Sequence, residues 1–333
     1  MTAFGEGTLT QSEERETCKR ARHPQPIPAF PEKPSILTRK PAVRIEPWSV
    51  DMAVSETSRH HCFDGWQILA SHPSKECGVA MKFSLYLPPA ANRTKVPVLY
   101  YLAGLTCTEE TFVIKSGAQR FAAETGIALA APDTSPRGID TPGAGADWDF
   151  GFGAGFYVDA TEAPWAKYWR MYSYVTSELP RVLAENYPID PERQGIFGHS
   201  MGGHGALVAA LRNPGRYKSV SAFAPIAAPS RSPWGKKAFT GYLGEDRSCW
   251  KAYDASELVQ QTTLPTTILI DQGLDDPFLA EQLHPHLFEE ACRQSSQAIV
   301  LRRHQGYDHG YYFIQTFIAD HVRHHARQIS EAG

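Results

Sequence analysis

Ser200 stands in Gly198-His199-Ser200-Met201-Gly202, which reads Gly-x-Ser-x-Gly. The apolar run Gly195-Ile196-Phe197 precedes it, and the helix-like run Gly205-Ala206-Leu207-Val208-Ala209-Ala210-Leu211 follows. A serine at such a strand-to-helix turn is forced into a strained backbone geometry. Its hydroxyl is lifted above the sheet with the helix N-terminus beneath it, which is how a nucleophile is presented. The plainer alternative is a glycine-rich turn whose serine merely caps the helix. A serine hydroxyl attacks poorly at neutral pH without a base, so partners are required, and in this class of site they follow in the order Asp or Glu, then His. Downstream, Thr267-Ile268-Leu269-Ile270 opens onto the carboxylate-rich loop Asp271-Gln272-Gly273-Leu274-Asp275-Asp276-Pro277-Phe278. A last predicted strand, residues 298–301, leads to Gly306-Tyr307-Asp308-His309-Gly310 and then an amphipathic helix. Chain order and loop placement single out His309 among 13 histidines as the base. Three carboxylates compete to orient it: Asp271 at the strand end, and Asp275 and Asp276 on the loop. Adjacent residues rarely point to the same place, so one of the latter two is expected to be structural.

The elements that would carry these residues alternate regularly from about residue 59. Predicted strands cover 82–86, 98–103, 127–131, 195–197, 220–223, 267–270 and 298–301, most of them short and nearly all apolar, as strands buried on both faces are. Helix-length segments lie between them, among them 118–125, 168–185 and 277–293. The alternation predicts an α/β protein with a mainly parallel central sheet and helices on both faces, occupying residues 59–333. Residues 1–58 mix Pro, Arg, Glu, Ser and Thr with little apolar periodicity, as in Arg22-His23-Pro24-Gln25-Pro26-Ile27-Pro28. Such a composition does not offset its ordering entropy by burial and is expected to be a disordered extension. It has no continuous apolar core of a secretory signal, and Glu13, Glu14 and Glu16 argue against an organellar transit peptide.

Composition sets bounds without selecting a chemistry. At 333 residues and 42% hydrophobic content the chain can bury a large core. A formal net charge of −3, with Lys and Arg scattered, gives no reason to expect nucleic acid or an anionic membrane as a partner. No apolar run approaches the roughly 18 residues needed to span a bilayer. The six cysteines show no Cys-x-x-Cys spacing, and free thiols in a reducing compartment are expected. His60-His61 and the histidines of 321–325 lack a convergent carboxylate or cysteine set, so solvated surface positions are expected for them and no metal site. The glycines of 143–145 and 151–155 do not join a strand to a helix with phosphate-cradle spacing and read as loop turns.

From about Phe63 to Ala326 the chain resembles the S-formylglutathione hydrolases, the esterase D family of α/β-hydrolases. The likeness is carried, in family order, by Gly104-Leu105-Thr106-Cys107-Thr108, by Ala131-Pro132-Asp133-Thr134-Ser135-Pro136-Arg137-Gly138, by Gly153-Ala154-Gly155-Phe156-Tyr157-Val158-Asp159-Ala160-Thr161, by the Ser200 motif, and by Gly306-Tyr307-Asp308-His309-Gly310-Tyr311-Tyr312-Phe313. The segment before residue 59 has no counterpart in the family, and the first half of Ala227-Ala228-Pro229-Ser230-Arg231-Ser232-Pro233-Trp234 departs from its pattern. The resemblance implies an α/β-hydrolase fold and a Ser-Asp-His serine thioesterase that needs no cofactor, acts in the cytoplasm as a homodimer, and cleaves S-formylglutathione. A general carboxylesterase on small acetyl or aryl esters, or a binding protein on the same fold, are the alternatives. The family motif assigns the acid to the aspartate of Asp-Pro-Phe, Asp276. The oxyanion hole would combine the N–H of Met201, directly after the nucleophile, with that of Leu105, which the resemblance supplies. Trp148 and Trp234 would line the acyl or glutathione site, with core packing as the alternative, and Cys107 would lie accessible beside the oxyanion loop or be a buried packing residue.

Overall fold

The computed structural model describes residues 53–331. Nine strands are present: β1 Ser55–Cys62, β2 Gly65–Pro73, β3 Ala80–Leu87, β4 Val96–Leu102, β5 Ala128–Pro132, β6 Ile189–His199, β7 Tyr217–Phe223, β8 Ile268–Gly273 and β9 Ile299–His304. They form one sheet in the order β1-β2-β3-β5-β4-β6-β7-β8-β9. From β5 through β9 every neighbouring pair is parallel, whereas β1, β2 and β3 join antiparallel. The expected α/β architecture is therefore present, and each of the seven predicted strands overlaps an observed one. Residues of β5 and β8 are buried throughout, which is why these segments read as continuous apolar runs. Each fully buried Leu, Val or Phe in such strands contributes roughly 1.5–3 kcal/mol.

Side-chain alternation along β6 assigns its two faces. A methyl group at Gly195 would meet His325 Nδ1, and Phe197 packs 5.2 Å from the His325 ring, so both face the helix Tyr311–Glu331. Gly198 faces the opposite way, against Gly202 in the helix Met201–Arg212. The sheet is thus covered on both sides at the strand that carries Ser200.

The hairpin β1–β2 was not among the predicted strands. Its turn has two residues, Phe63 and Asp64, with φ of 47° and 57°, a type I′ geometry usually written with Asn and Gly. β1, SETSRHHC, is an exposed edge strand with no apolar alternation to reveal it. It begins at Ser55, so the expected boundary of the extension at residue 58 moves back by at least four residues. Residues 1–52, and with them Cys18 and the rest of the expected extension, lie outside the described residues. Two predicted helices are interrupted. The 168–185 segment contains a π-helical turn at Tyr174–Glu178, followed by Leu179–Asn186 with Pro180 in its first turn. The 277–293 segment breaks at His284, φ 49°, because Pro285 disfavours the helical conformation in the residue before it.

The expectation of surface histidines holds for His60 and His61 but is corrected for 321–325. His321 and His325 are fully buried and His324 nearly so. They lie on the stripe Ile314, Ile318, Val322, Ile329, spaced by three and four residues, that faces the sheet. His325 bridges Ser219 Oγ (2.6 Å) and Ser221 Oγ (2.8 Å), and His321 bridges Ser221 Oγ (2.8 Å) and Asp271 Oδ2 (3.2 Å). Burial pushes both imidazoles below their ordinary pKa and keeps them neutral. Asp271 also accepts two 2.6 Å hydrogen bonds from Arg302. Its burial opposes ionisation, but the hydrogen bonds from His321 and Arg302 outweigh it and hold the carboxyl well below the usual carboxylate range.

Candidate active site

β6, β8 and β9 run parallel, so their carboxyl ends, and the loops that leave them, open at one edge of the sheet. Ser200 follows β6 directly. Its φ of 56° and ψ of −118° lie where L residues are strained, at a cost of order 1–3 kcal/mol, and the surroundings enforce that geometry. Ser200 N–H donates to Phe223 O (3.0 Å), and Ser200 O accepts from His204 N (3.0 Å) and Ile226 N (3.1 Å). Gly198 and Gly202 touch across the turn, and a side chain at Gly202 would run into the carbonyl of Leu102. Ser200 is 3% exposed rather than open to solvent, because the loop after β4 passes over it: a Cβ at Gly104 would stand 3.2 Å from both Ser200 Cβ and His199 Nδ1.

The three carboxylates of the β8 segment go to three different places. Asp271 points into the buried histidine network. Asp275 is exposed, with Gln305 Nε2 at 3.3 Å. Asp276 is buried, and its Oδ2 lies 2.6 Å from His309 Nδ1. The same carboxylate is fixed by Phe278 N–H at 2.8 Å and Gln272 Nε2 at 3.3 Å. His309 is in turn flanked by the Phe278 ring, edge-on at 5.0 Å, and by the His199 ring at 4.4 Å. Because His199 is the residue before Ser200, this contact places the His309 imidazole beside the serine turn. A carboxylate on Nδ1 leaves Nε2 unprotonated in the neutral ring and able to accept a proton.

Leu105 and Met201 flank the same turn. Among the described residues neither backbone N–H is donated to a protein acceptor, so both remain available to an incoming oxyanion. The Leu105 loop is held by Thr106, φ 67°, whose N–H donates to Gly153 O (2.9 Å), and by Tyr157 OH, which donates to Ala103 O (2.9 Å). Cys107 is half-buried. Its carbonyl accepts from Thr134 Oγ1 (2.6 Å) and Arg137 Nη2 (3.1 Å), and burial pushes its thiol above the ordinary range, outweighing contacts with the Thr111 and Tyr311 hydroxyls. Trp234 is buried and Trp148 is 57% exposed. Their rings meet edge to face at 5.5 Å, Trp234 lies 4.8 Å from Phe278, and the series ends at His309. The two tryptophans are thus one aromatic wall running from solvent to the imidazole. Lys237 fastens its outer end through ion pairs to Asp147 and Asp149.

Sequence reasoning passed over His199, Gln272 and Phe278. All three lay inside segments already quoted, and Gln272, read there as a loop residue, is the buried penultimate residue of β8. Among the described residues no group of three or more His, Cys, Asp or Glu could hold a metal ion, and no helix is long and apolar enough to cross a membrane. The five cysteines Cys62, Cys77, Cys107, Cys249 and Cys292 are free thiols.

Residues 74–324 match the family described as "Putative esterase". The chain is 56% identical over 281 residues to S-formylglutathione hydrolase of Rattus norvegicus, covering 84% of this chain and 100% of that one. It is 52% identical over 280 residues to S-formylglutathione hydrolase of Paracoccus denitrificans, covering 84% and 99%. Among solved structures, an S-formylglutathione hydrolase from Agrobacterium tumefaciens superposes with a TM-score of 0.81 at 48% identity, over 82% of this chain and 99% of that one. The identity extends over nearly the whole of each relative, and the fold is shared as well. The chain belongs to the S-formylglutathione hydrolase family of esterases.

Proposed function

We propose that this protein hydrolyses S-formylglutathione to formate and glutathione through a covalent formyl-serine. Ser200 Oγ attacks the thioester carbonyl as His309 Nε2 takes its proton, and the resulting oxyanion is bound by the N–H groups of Leu105 and Met201. Collapse expels the glutathione thiolate, which takes the proton from His309. Water, deprotonated by the same imidazole, then releases formate. Asp276 holds the ring in the productive tautomer and stabilises the imidazolium. The observation that carries the reading is the 2.6 Å Asp276–His309 hydrogen bond beside a strained serine turn, in a chain of this family.

The wall formed by Trp148 and Trp234 supports a flat, apolar approach to the thioester. It equally favours the second reading, a carboxylesterase on small aryl esters. Cys107 contributes packing beside the oxyanion loop. The free thiols are consistent with a reducing cytoplasm, and the family resemblance is the ground for proposing a homodimer that needs no cofactor. Three measurements test the proposal. Fluorophosphonate labelling that Ser200→Ala abolishes separates an enzyme from a binding protein, and retained thioester turnover by well-folded Ser200→Ala overturns the mechanism. A kcat/KM for S-formylglutathione below that for a simple aryl ester overturns the substrate assignment in favour of the carboxylesterase.

A further inference from the structure

His199 takes no step in the chemistry above, yet its placement is costly. It is 6% exposed, and neither ring nitrogen closes a hydrogen bond of good geometry among the described residues. A buried polar ring whose one polar partner, the main chain of His309, is poorly aligned is less stable than an apolar side chain of the same shape. Packing alone therefore does not account for an imidazole here. Alternation along β6 puts His199 on the same face as Phe197, toward the loop that carries His309. Its ring centroid is 4.4 Å from that of His309 at an interplanar angle of 45°, and 6.1 Å from that of Tyr311. Burial, reinforced by the neighbouring His309 and only partly offset by the main chain of His309, drives the His199 pKa well down, so the ring is neutral. The titratable groups facing His309 are Asp276 and His199, and those facing His199 are His309 and Tyr311.

We propose that His199 is a positioning residue for His309: a flat, neutral wall that closes the third side of the imidazole's seat. Asp276 anchors Nδ1 and Phe278 blocks one side edge-on, but those two contacts alone leave a further side of the ring open, and the ring free to turn about the Asp276 hydrogen bond. The His199 ring fills that side, and being uncharged it does so without opposing the positive charge that His309 acquires as the serine is deprotonated. Placing this wall in the residue before the nucleophile ties the base to the serine turn itself, so the distance between the two reacting groups is set by adjacent backbone. The inference rests on His309 being the base.

The experiment compares His199→Leu, His199→Phe and His309→Ala in the full chain, with kcat, KM, the low-field proton spectrum and the melting temperature measured for each. His199→Leu removes the flat ring. Its kcat is expected to fall on the order of 10²-fold, as a slightly misplaced reacting group does, with KM unchanged. The low-field proton of the Asp276–His309 hydrogen bond, read by proton NMR, is expected to weaken. His199→Phe keeps a flat ring and should recover most of the kcat and the proton signal. Should His199→Leu fail to fold, His199→Gln takes its place with the same expectations. A native kcat in the Leu or Gln variant overturns the proposal. So does a Phe variant as impaired as Leu, or a loss that follows melting temperature while the proton signal is intact. A His309→Ala kcat within about tenfold of native refutes the base assignment instead, so the two failures are distinguishable.

Discussion

Asp276→Asn exchanges one oxygen for an amide nitrogen and keeps the side chain's shape, so its effect can be reasoned through from three contacts. Phe278 N–H donates to Oδ1 at 2.8 Å and requires an acceptor there, which directs the new NH2 group to the Oδ2 position. That position faces His309 Nδ1 at 2.6 Å and Gln272 Nε2 at 3.3 Å. The amide would then donate to Nδ1, the imidazole would carry its proton on Nε2, and Ser200 would face a donor instead of a base. The alternative rotamer leaves Phe278 N–H opposed by another donor, so neither orientation restores the native arrangement. The wrong tautomer, together with loss of the charge that supports the imidazolium, is expected to lower kcat on the order of 10⁴-fold, about 5.4 kcal/mol in the barrier. Asp275→Asn is the control. Its carboxylate is exposed with one 3.3 Å contact to Gln305, and a surface change of that kind is worth about 0.5 kcal/mol, roughly a twofold effect. The assay is thioester cleavage under saturating S-formylglutathione, normalised to correctly folded protein by melting temperature. An Asp276→Asn kcat within tenfold of native, or a larger loss in Asp275→Asn, would refute the reasoning and move the orienting role elsewhere.

Ser200→Gly removes the side chain that makes φ 56° and ψ −118° strained, so it is expected to abolish turnover while raising the melting temperature by about 2 °C over Ser200→Ala, measured by calorimetry. Acid stability follows from the buried histidines: burial pushes His204 and His324 down to about 4 and lowers His321 and His325, while the ordinary value is 6.5. The unfolded chain binds their protons first, so the melting temperature should be steady above about pH 7 and fall as pH drops from 6.5 toward 4; a melting temperature independent of pH over that window would contradict the neutral network. A chain starting at Ala53 should match the melting temperature of the full chain. One starting at Arg59 should melt lower, because it loses the Ser55–Ser71, Glu56–Ala70 and Ser58–Leu69 pairings and the 3.2 Å contact of Glu56 with Tyr187.

The parallel half of the sheet was legible because strands buried on both faces must be apolar throughout, and segments such as 267–270 have no other reading. β1 was not, since an edge strand open to solvent needs no apolar residues and its turn is written Phe63-Asp64. The histidines of 321–325 misled for the opposite reason. Their polarity outweighed a helical period, continued by Ile318, Val322 and Ile329, that put all three of them on the buried face. At the site, residue order alone placed the serine and histidine loops at one sheet edge. Spacing along the chain left Asp271, Asp275 and Asp276 equivalent; the family motif favoured Asp276, and the fold separates the three by giving the first to Arg302 and His321, the second to solvent and the third to His309.

The placement of the three groups on β6, β8 and β9 also orders events in time. A chain made from its amino end contains Ser200 long before Asp276 exists, and His309 is the last of the three to appear. Until β7 and β8 have docked in register and the final helix has settled against the sheet, the serine lacks both the partners that hold its turn and the imidazole beside it. On the mechanism proposed above, a partly synthesised or partly unfolded chain would be inert toward esters, and reactivity with a fluorophosphonate would report that the last third of the molecule is in place.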